Sequence, residues 1–232
     1  LATLDFWLLC GQLFNNDRCT WSVEWNTYGA LFYNILKNEP ELKSQFEYQK
    51  KGSVLVNSFS KLNNVELINC AFHDNGNNGI VINYTNGVFR NCKAYNNGHD
   101  GFNLNYYGDT QFFDCSGWDN GDDGISHHQG TTGLIDGGEW YGNTKGGVAS
   151  PCYGAKVDIQ NVYSHDNGYG IYAFASGQSD ARVFRVWNCV LINNSNYGIA
   201  VRYNTPYIYG NKISGNTTGQ TTAYGTSEFH VL

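Results

Sequence analysis

A short phrase that recurs along the sequence constrains the fold more than any other feature. It reads Asn or Asp, Asn, Gly, two variable residues, Gly and an apolar residue, and it occurs at 74–80, 96–102 and 119–125, then in degenerate form at 142–148, 166–171 and 194–199. The second glycines follow one another by 22, 23, 23, 23 and 28 residues. Such a period without a helical pattern predicts a solenoid built of β-strands. A short strand and its turn take about seven or eight residues, so each coil should have three faces.

Two further columns follow the same period. Cys70, Cys92 and Cys115 lie 22 and 23 residues apart, and Cys189 resumes their place. Equivalent residues of stacked coils lie about 4.8 Å apart, so each set should form a column. The apolar column, which should point inward, is Ile80, Phe102, Ile125, Val148, Ile171 and Ile199. We therefore predict a dry core in which the column cysteines are free, buried thiols. A disulfide would better suit Cys10 and Cys19, outside the repeat.

The composition and the first residues complete the predicted organisation. Three prolines, 28 glycines and many Tyr, Phe, Val and Ile favour an all-β protein. Asn38 begins a capping box with Pro40 in the first turn, and Gly52 follows two lysines, which predicts one helix near 39–51. We predict an N-terminal cap or irregular first coils over 1–52, and one continuous β-helix over 53–232. The chain begins at Leu and has no Met, as we expect of a processed chain or a piece of a longer polypeptide.

The charge balance narrows the class of partner. The formal net charge is −6, and the few Lys and Arg residues are scattered, so we expect no nucleic-acid partner. No run of apolar residues approaches the length of a membrane span, so we expect no membrane insertion.

The repeated phrase, the Asn-Cys column and the period together resemble the right-handed parallel β-helix repeats of the pectate-lyase-like superfamily, over roughly 53–216. The resemblance implies a right-handed single-stranded parallel β-helix. Its members include polysaccharide lyases, glycoside hydrolases, epimerases and phage tailspikes or appendages. The stretch 118–124 also resembles the calcium-site sequence of one pectate lyase family. Ile125 and Ser126 stand where that family has an aromatic residue and a further Asp.

Carboxylates cluster at one phase of the repeat. The period stacks Asp123 on Asp100 and Asp122 on His99, and it brings Lys145 to the next coil. Carboxylates one coil apart repel unless a cation or hydrogen-bond donors compensate them. Ca²⁺ prefers such oxygens, so the pattern predicts a calcium site formed by Asp100, Asp122 and Asp123. The alternative is that these aspartates serve only as turn formers.

A pair of histidines follows this turn. His127 and His128 lie on a strand, so one side chain should point inward and the other outward. A histidine is the ordinary general base near neutral pH. The candidate catalytic residues are therefore Asp123, His128 and Lys145, the alternative for His128 being a polar surface residue.

The outward positions of the same strands carry amides, aromatic rings and a cation. The column reads Asn83, Asn105, His128, Pro151, Phe174 and Arg202. Rings stack on sugars, and amides and guanidinium groups bond hydroxyls or carboxylates. The predicted carbohydrate-binding residues are Asn103, Asn105, Tyr172, Phe174 and Arg202. Alternatively, such columns only stabilise the stacked strands.

Two functions are compatible with these features. The first is a polysaccharide-binding and polysaccharide-cleaving protein, a lyase or hydrolase acting on an acidic or cell-surface glycan. The second is a non-catalytic structural or receptor-binding module of a phage or viral spike, expected to be a homotrimer. Both place the protein outside the cell or on a virion surface.

Overall fold

The computed structural model describes residues 19–22, 54–57, 65–150, 155–175, 183–225, 227 and 229–231. These residues form an all-β parallel solenoid of about seven turns and contain no helix. Among them, accordingly, no helix is long and apolar enough to cross a membrane. The helix predicted near 39–51 and the residue Pro151 lie outside the described residues. The division into a cap over 1–52 and a β-helix over 53–232 therefore stays a prediction.

Three parallel sheets of eight strands each form the walls of the solenoid, and every coil gives one strand to each sheet. Sheet 1 consists of β1 (Cys19–Ser22), β4 (Cys70–His73), β7 (Lys93–Tyr95), β10 (Ser116–Trp118), β13 (Glu139–Tyr141), β16 (Tyr163–His165), β19 (Val190–Ile192) and β22 (Lys212–Ser214). Sheet 2 consists of β2 (Val54–Asn57), β5 (Ile80–Asn83), β8 (Phe102–Asn105), β11 (Ile125–His127), β14 (Gly146–Ala149), β17 (Tyr169–Phe174), β20 (Tyr197–Arg202) and β23 (Gly219–Tyr224). Sheet 3 consists of β3 (Val65–Ile68), β6 (Gly87–Arg90), β9 (Asp109–Phe113), β12 (Thr132–Asp136), β15 (Lys156–Gln160), β18 (Val183–Trp187), β21 (Thr205–Tyr209) and β24 (His230–Val231).

The strand register confirms the predicted columns. In sheet 2 each member of the apolar column is paired with the next, from Ile80 with Phe102 to Ile171 with Ile199. All members of this column are fully buried. The predicted thiol column of Cys70, Cys92, Cys115 and Cys189 is also buried, and the thiols of Cys92, Cys115 and Cys189 are free. Cys10 lies outside the described residues, so the disulfide suggested between Cys10 and Cys19 stays a prediction. The position of a residue within the repeat therefore correctly predicts that the side chains of these two columns point into the core.

The asparagines of the repeated phrase form a second, polar column, which we call the asparagine ladder. It runs through Asn75, Asn97, Asn120, Asn143, Asn167, Asn194 and Asn216, all buried. Each side-chain amide donates to the Oδ1 of the next asparagine, at 2.9–3.2 Å. From Asn97 onward each amide also donates to a backbone carbonyl of sheet 1. The ladder thus satisfies polar groups at the corner between sheets 1 and 2, which burial requires.

The inward histidine of the pair is His127, which is fully buried in sheet 2. Its Nε2 lies 3.4 Å from Thr110 Oγ1, and its Nδ1 has no hydrogen-bond partner among the described residues. Burial, with a smaller contribution from the charge of His128, lowers the pKa of His127 to about 3. The folded protein therefore keeps this imidazole neutral at pH values where an exposed histidine would be charged.

This shift predicts a specific acid sensitivity. Above the ordinary histidine pKa of 6.5, His127 is neutral in the folded and in the unfolded protein. Below this pH, His127 becomes protonated in the unfolded protein but stays neutral in the folded one. Stability is therefore lost as the pH falls from 6.5 toward 3, by about 2 kcal/mol at pH 5. We expect His127→Leu to remove this loss in urea unfolding at pH 7.5 and pH 5. Equal losses in both proteins would contradict the prediction.

Candidate functional site

The titratable side chains singled out in the sequence meet on the outer side of sheet 2, where three successive coils enter it. We call His99, Asp100, Asp122, Asp123 and Lys145 the central cluster. They belong to the turns that precede β8, β11 and β14. Because the repeat places these turns at the same corner, residues far apart in the sequence become neighbours on adjacent coils.

Opposite charges alternate within the central cluster. Single atoms of His99, Asp100 and Asp122 all lie within 4.8 Å of one another. His99 Nδ1 is 3.3 Å from Asp100 Oδ2, and His99 Nε2 is 3.6 Å from Asp122 Oδ2. Lys145 Nζ is 3.5 Å from Asp122 Oδ1 and 4.0 Å from Asp123 Oδ2. Two cationic groups therefore face the three carboxyl groups.

Asp100 and Asp123 form the buried base of the cluster, each 1% exposed. The Asp123 amide donates to Asp100 Oδ1 at 3.1 Å, and Asn103 Nδ2 donates to Asp100 Oδ2. The Tyr172 hydroxyl donates to Asp123 Oδ2 at 2.7 Å, while Asp123 Oδ1 has no partner among the described residues. Burial and the charge of Asp100 raise the pKa of Asp123 well above its ordinary 3.8. Asp123 is therefore driven toward its neutral form.

The cationic members of the cluster respond to the same carboxylates. The hydrogen bond to Asp100 raises the pKa of His99, against the opposing effect of burial. Burial also opposes the charge of Lys145, but Asp123, Asp122 and Asp100 together raise its pKa. The cluster thus favours charged forms of His99 and Lys145, which compensate its ionised carboxylates.

His128 is half-buried, after the end of β11. Its backbone amide donates to the Leu104 carbonyl at 2.8 Å, and its Nε2 lies 2.7 Å from Ser126 Oγ. Burial lowers the pKa of His128, and Lys145 adds to this effect while Asp100 opposes it. A neutral, oriented imidazole near carboxylates and an ammonium group is equipped to accept a proton.

The sequence-predicted sugar-binding residues flank this imidazole on the outer face of sheet 2. Asn105 donates to Asn103, which in turn donates to Asp100, so the amides form a chain that leads into the cluster. On later coils the Arg202 guanidinium lies 5.4 Å from the centre of the Phe174 ring. Arg202 Nε also donates to the Ala175 carbonyl at 3.3 Å. The amides therefore lie one coil before His128, and the arginine lies three coils after it.

Tyr172 is more deeply buried than its outward position in the repeat alone implies. It is 3% exposed, and its ring packs between Tyr169 and Phe174 with centroids 5.5 and 5.1 Å away. A Cβ on Gly146 would lie 2.6 Å from the ring, so the tyrosine fits because that position is glycine. Lys145 Nζ sits 5.0 Å from the ring centre. Tyr172 therefore presents its hydroxyl to Asp123 and keeps its ring faces covered.

Two residues of the site were not among the predicted site residues. His99 shares its phase with Asp122, and this was the available signal that it joins the carboxylates. Ser126 lies two residues before His128, and strand alternation, which places such residues on one face, was the available signal for this pair.

The central cluster fits Ca²⁺ poorly in its present arrangement. Ca²⁺ takes six to eight oxygen ligands. The atoms that converge here include an imidazole nitrogen of His99, and Lys145 lies against Asp122 where a cation would bind. Calcium ligation by Asp100, Asp122 and Asp123 stays a prediction.

Comparisons with known proteins agree with this architecture. A family model described as a right handed beta helix region matches residues 42–213. No curated protein matches the chain.

Among solved structures, the A-modules of the mannuronan C-5 epimerases AlgE6 and AlgE4 of Azotobacter vinelandii superpose with TM-scores of 0.52, at 21% and 23% identity. The alignments cover 73% and 72% of this chain but only 55% and 57% of the epimerase modules. Pectate lyase Pel9A matches with a TM-score of 0.42 and 19% identity over 78% of this chain and 50% of its own. The family model covers most of the chain, so the protein belongs to the right handed beta helix family.

Proposed function

We propose that this β-helix binds an acidic polysaccharide along the outer face of sheet 2 and cleaves it as a lyase, with His128 as the base. The observation that carries the proposal is the position of a half-buried His128, oriented by Ser126, beside a charge-compensated cluster. Burial lowers the pKa of His128, which favours the neutral form that a base needs. The similar epimerase modules are named for action on mannuronan, an acidic polysaccharide. Epimerisation at C-5 and lyase cleavage of a uronate both begin with removal of the proton on the carbon next to the carboxylate.

A lyase accounts for the burial of the aspartates better than a hydrolase does. A hydrolase uses two carboxyl groups that reach the scissile bond or a water molecule beside it. Asp100 and Asp123 are each 1% exposed and bonded to neighbouring protein groups. They hold the cationic side chains in place, and their role is positioning.

Each exposed group then has one task in the elimination. The half-exposed Lys145 binds the uronate carboxylate and stabilises the charge that builds up on it, while Arg202 holds a neighbouring carboxylate. His128 takes the C-5 proton, and the electron pair forms the C-4 to C-5 double bond as the glycosidic oxygen leaves. That oxygen takes a proton from water. The products are a new sugar end and an unsaturated uronate.

The test compares polymannuronate, mixed alginate and polygalacturonate with a neutral glucan. A lyase produces ultraviolet-absorbing unsaturated ends and reducing ends in equal number, on uronates alone. A hydrolase produces reducing ends without the absorbance, and an epimerase run in D₂O places deuterium at C-5 without breaking the chain. Absence of all three products, together with a mass of three chains in solution, would replace the proposal by the trimeric spike module. Either function places the protein outside the cell or on a virion.

The role of calcium is checked on the same preparation. Because Lys145 and His99 already neutralise Asp100 and Asp122, we expect millimolar Ca²⁺ or a chelator to leave the melting temperature and the rate unchanged. A rise in melting temperature with Ca²⁺ that is lost in Asp122→Asn would instead support the calcium site predicted from the sequence.

A further inference from the structure

Three exposed tyrosines stand at the corner that leads from sheet 2 to sheet 3. Tyr84, Tyr106 and Tyr107 are 56%, 37% and 77% exposed, and we call them the tyrosine patch. Tyr84 follows Asn83 at the end of β5, and Tyr106 follows Asn105 at the end of β8. The patch thus directly continues the outer amide column of sheet 2.

The backbone of the patch is unusual for residues of this size. Tyr84, Tyr106 and Tyr107 have φ values of +51°, +61° and +57°. At the other two corners of the described coils the left-handed positions belong to Asn, Asp and Gly alone: 69, 91, 114, 137, 161, 188 and 210, and 74, 96, 119, 142, 166, 193 and 215. Large side chains are costly there, whereas Asn, Asp and Gly are well tolerated. Gln129 and Tyr203 share this corner with φ values of +48° and +57°, but the members of the patch are the ones whose large rings are exposed. Because exposed rings gain little from burial that would offset the backbone strain, a role outside stability is indicated.

The rings are ordered on one another and lead toward His128. Tyr84 and Tyr106 stack with centroids 4.8 Å apart and planes 11° from parallel. The Tyr107 ring covers the backbone of the next coil, where a Cβ on Gly130 would lie 2.7 Å from it. Gly130 comes two residues after His128. The patch therefore spans the coils of β5 and β8 and ends against the coil that carries the proposed base.

We infer that the tyrosine patch is a sugar-stacking subsite for the same polysaccharide. The inference rests on the proposed function and adds where the polysaccharide contacts the protein beyond the sugar unit that reacts. Aromatic faces bind the apolar face of a sugar ring, and neighbouring amides such as Asn105 bond its hydroxyls. The patch carries no cation, whereas Lys145 and Arg202 lie at and beyond the cluster. The polysaccharide is therefore held by ring stacking on one side of His128 and through its carboxylates on the other.

Tyr107→Asn and Tyr84→Asn test the subsite, because asparagine tolerates the left-handed backbone while losing the ring. We expect each variant to raise KM for long polyuronate chains about three- to tenfold, with kcat unchanged and a melting temperature equal to or above that of the wild type. Tyr107→Trp keeps a ring and should restore KM. Tyr163→Asn, which removes a tyrosine from sheet 1, is the matched control and should leave KM unchanged.

The outcomes separate this inference from the proposed function. A wild-type lyase whose KM is unaffected by either variant overturns the subsite and leaves the function standing. A large fall in melting temperature with KM unchanged assigns the rings to structure and also overturns it. A wild type that neither cleaves nor binds any polyuronate overturns both.

Discussion

Replacing His128 with glutamine is expected to slow the release of unsaturated product by about 100- to 10,000-fold, the range typical for loss of a positioned general base. Glutamine retains a side chain that can bond Ser126 but accepts no proton at neutral pH. The measurement is the initial rate of absorbance increase on the best polyuronate of the panel. KM should change little, because Lys145 and Arg202 remain to bind the substrate.

Two variants show whether this loss is chemical. Ser126→Ala keeps the imidazole but removes the group 2.7 Å from its Nε2, so a smaller loss of about tenfold is expected. His165→Gln removes a histidine from the outer face of sheet 1 and should keep the wild-type rate. Burial lowers the pKa of His128 from its ordinary 6.5. As the pH is lowered, the rate should therefore remain constant through pH 6.5 and fall only at more acidic pH. A His128→Gln protein with the full rate would eliminate this residue as the base.

The second large effect concerns stability. Asn120→Ala is expected to cost about 4 kcal/mol of unfolding free energy, because it removes four hydrogen bonds of buried groups. Asn120 Nδ2 donates to the Ala94 carbonyl and to Asn143 Oδ1, and its Oδ1 accepts from the backbone and side-chain amides of Asn97. The groups left behind are buried, and each loses the hydrogen-bond partner that compensates its burial. Urea unfolding followed by circular dichroism measures the loss.

The control lies in the same kind of turn. Asn77 is exposed and outside the ladder, so Asn77→Ala should change stability by less than about 0.5 kcal/mol. Asn120→Asp retains an acceptor but loses both donors and adds a buried charge, so it should be at least as damaging as alanine. A loss below about 1 kcal/mol for Asn120→Ala would show that neighbouring coils relax to replace its bonds.

The fold could be predicted because a single repeat determines it. The spacing of the second glycines gave the period, and the period assigned Ile125 and Cys115 to inward columns and stacked Asp123 on Asp100. The structure pairs these columns coil by coil. The N-terminal residues lack the repeat, so the cap and the helix near 39–51 had only local capping signals to support them.

The site was harder to predict because the position of a residue in the repeat indicates which way its side chain points but not how deeply it is buried. Tyr172 lies outward, as its phase requires, yet Gly146 leaves a depression that lets its ring sink against the sheet. The bond between Ser126 and His128 depends on side-chain rotation, and the left-handed backbone of Tyr107 breaks the rule that turns favour small polar residues. Such departures from local preference are expected to concentrate at functional positions.

The asparagine ladder also gives the solenoid a direction. Every amide donates toward the higher-numbered neighbour, so the side-chain dipoles point the same way along the axis and polarise one another. The two ends are therefore unlike. Asn75 Oδ1 has no donor among the described residues, whereas the amide of Asn216 is capped by Gln220 Oε1 at 2.9 Å. An asparagine added to the ladder after Asn216 would therefore have to displace Gln220 Oε1 before it could accept a hydrogen bond from Asn216.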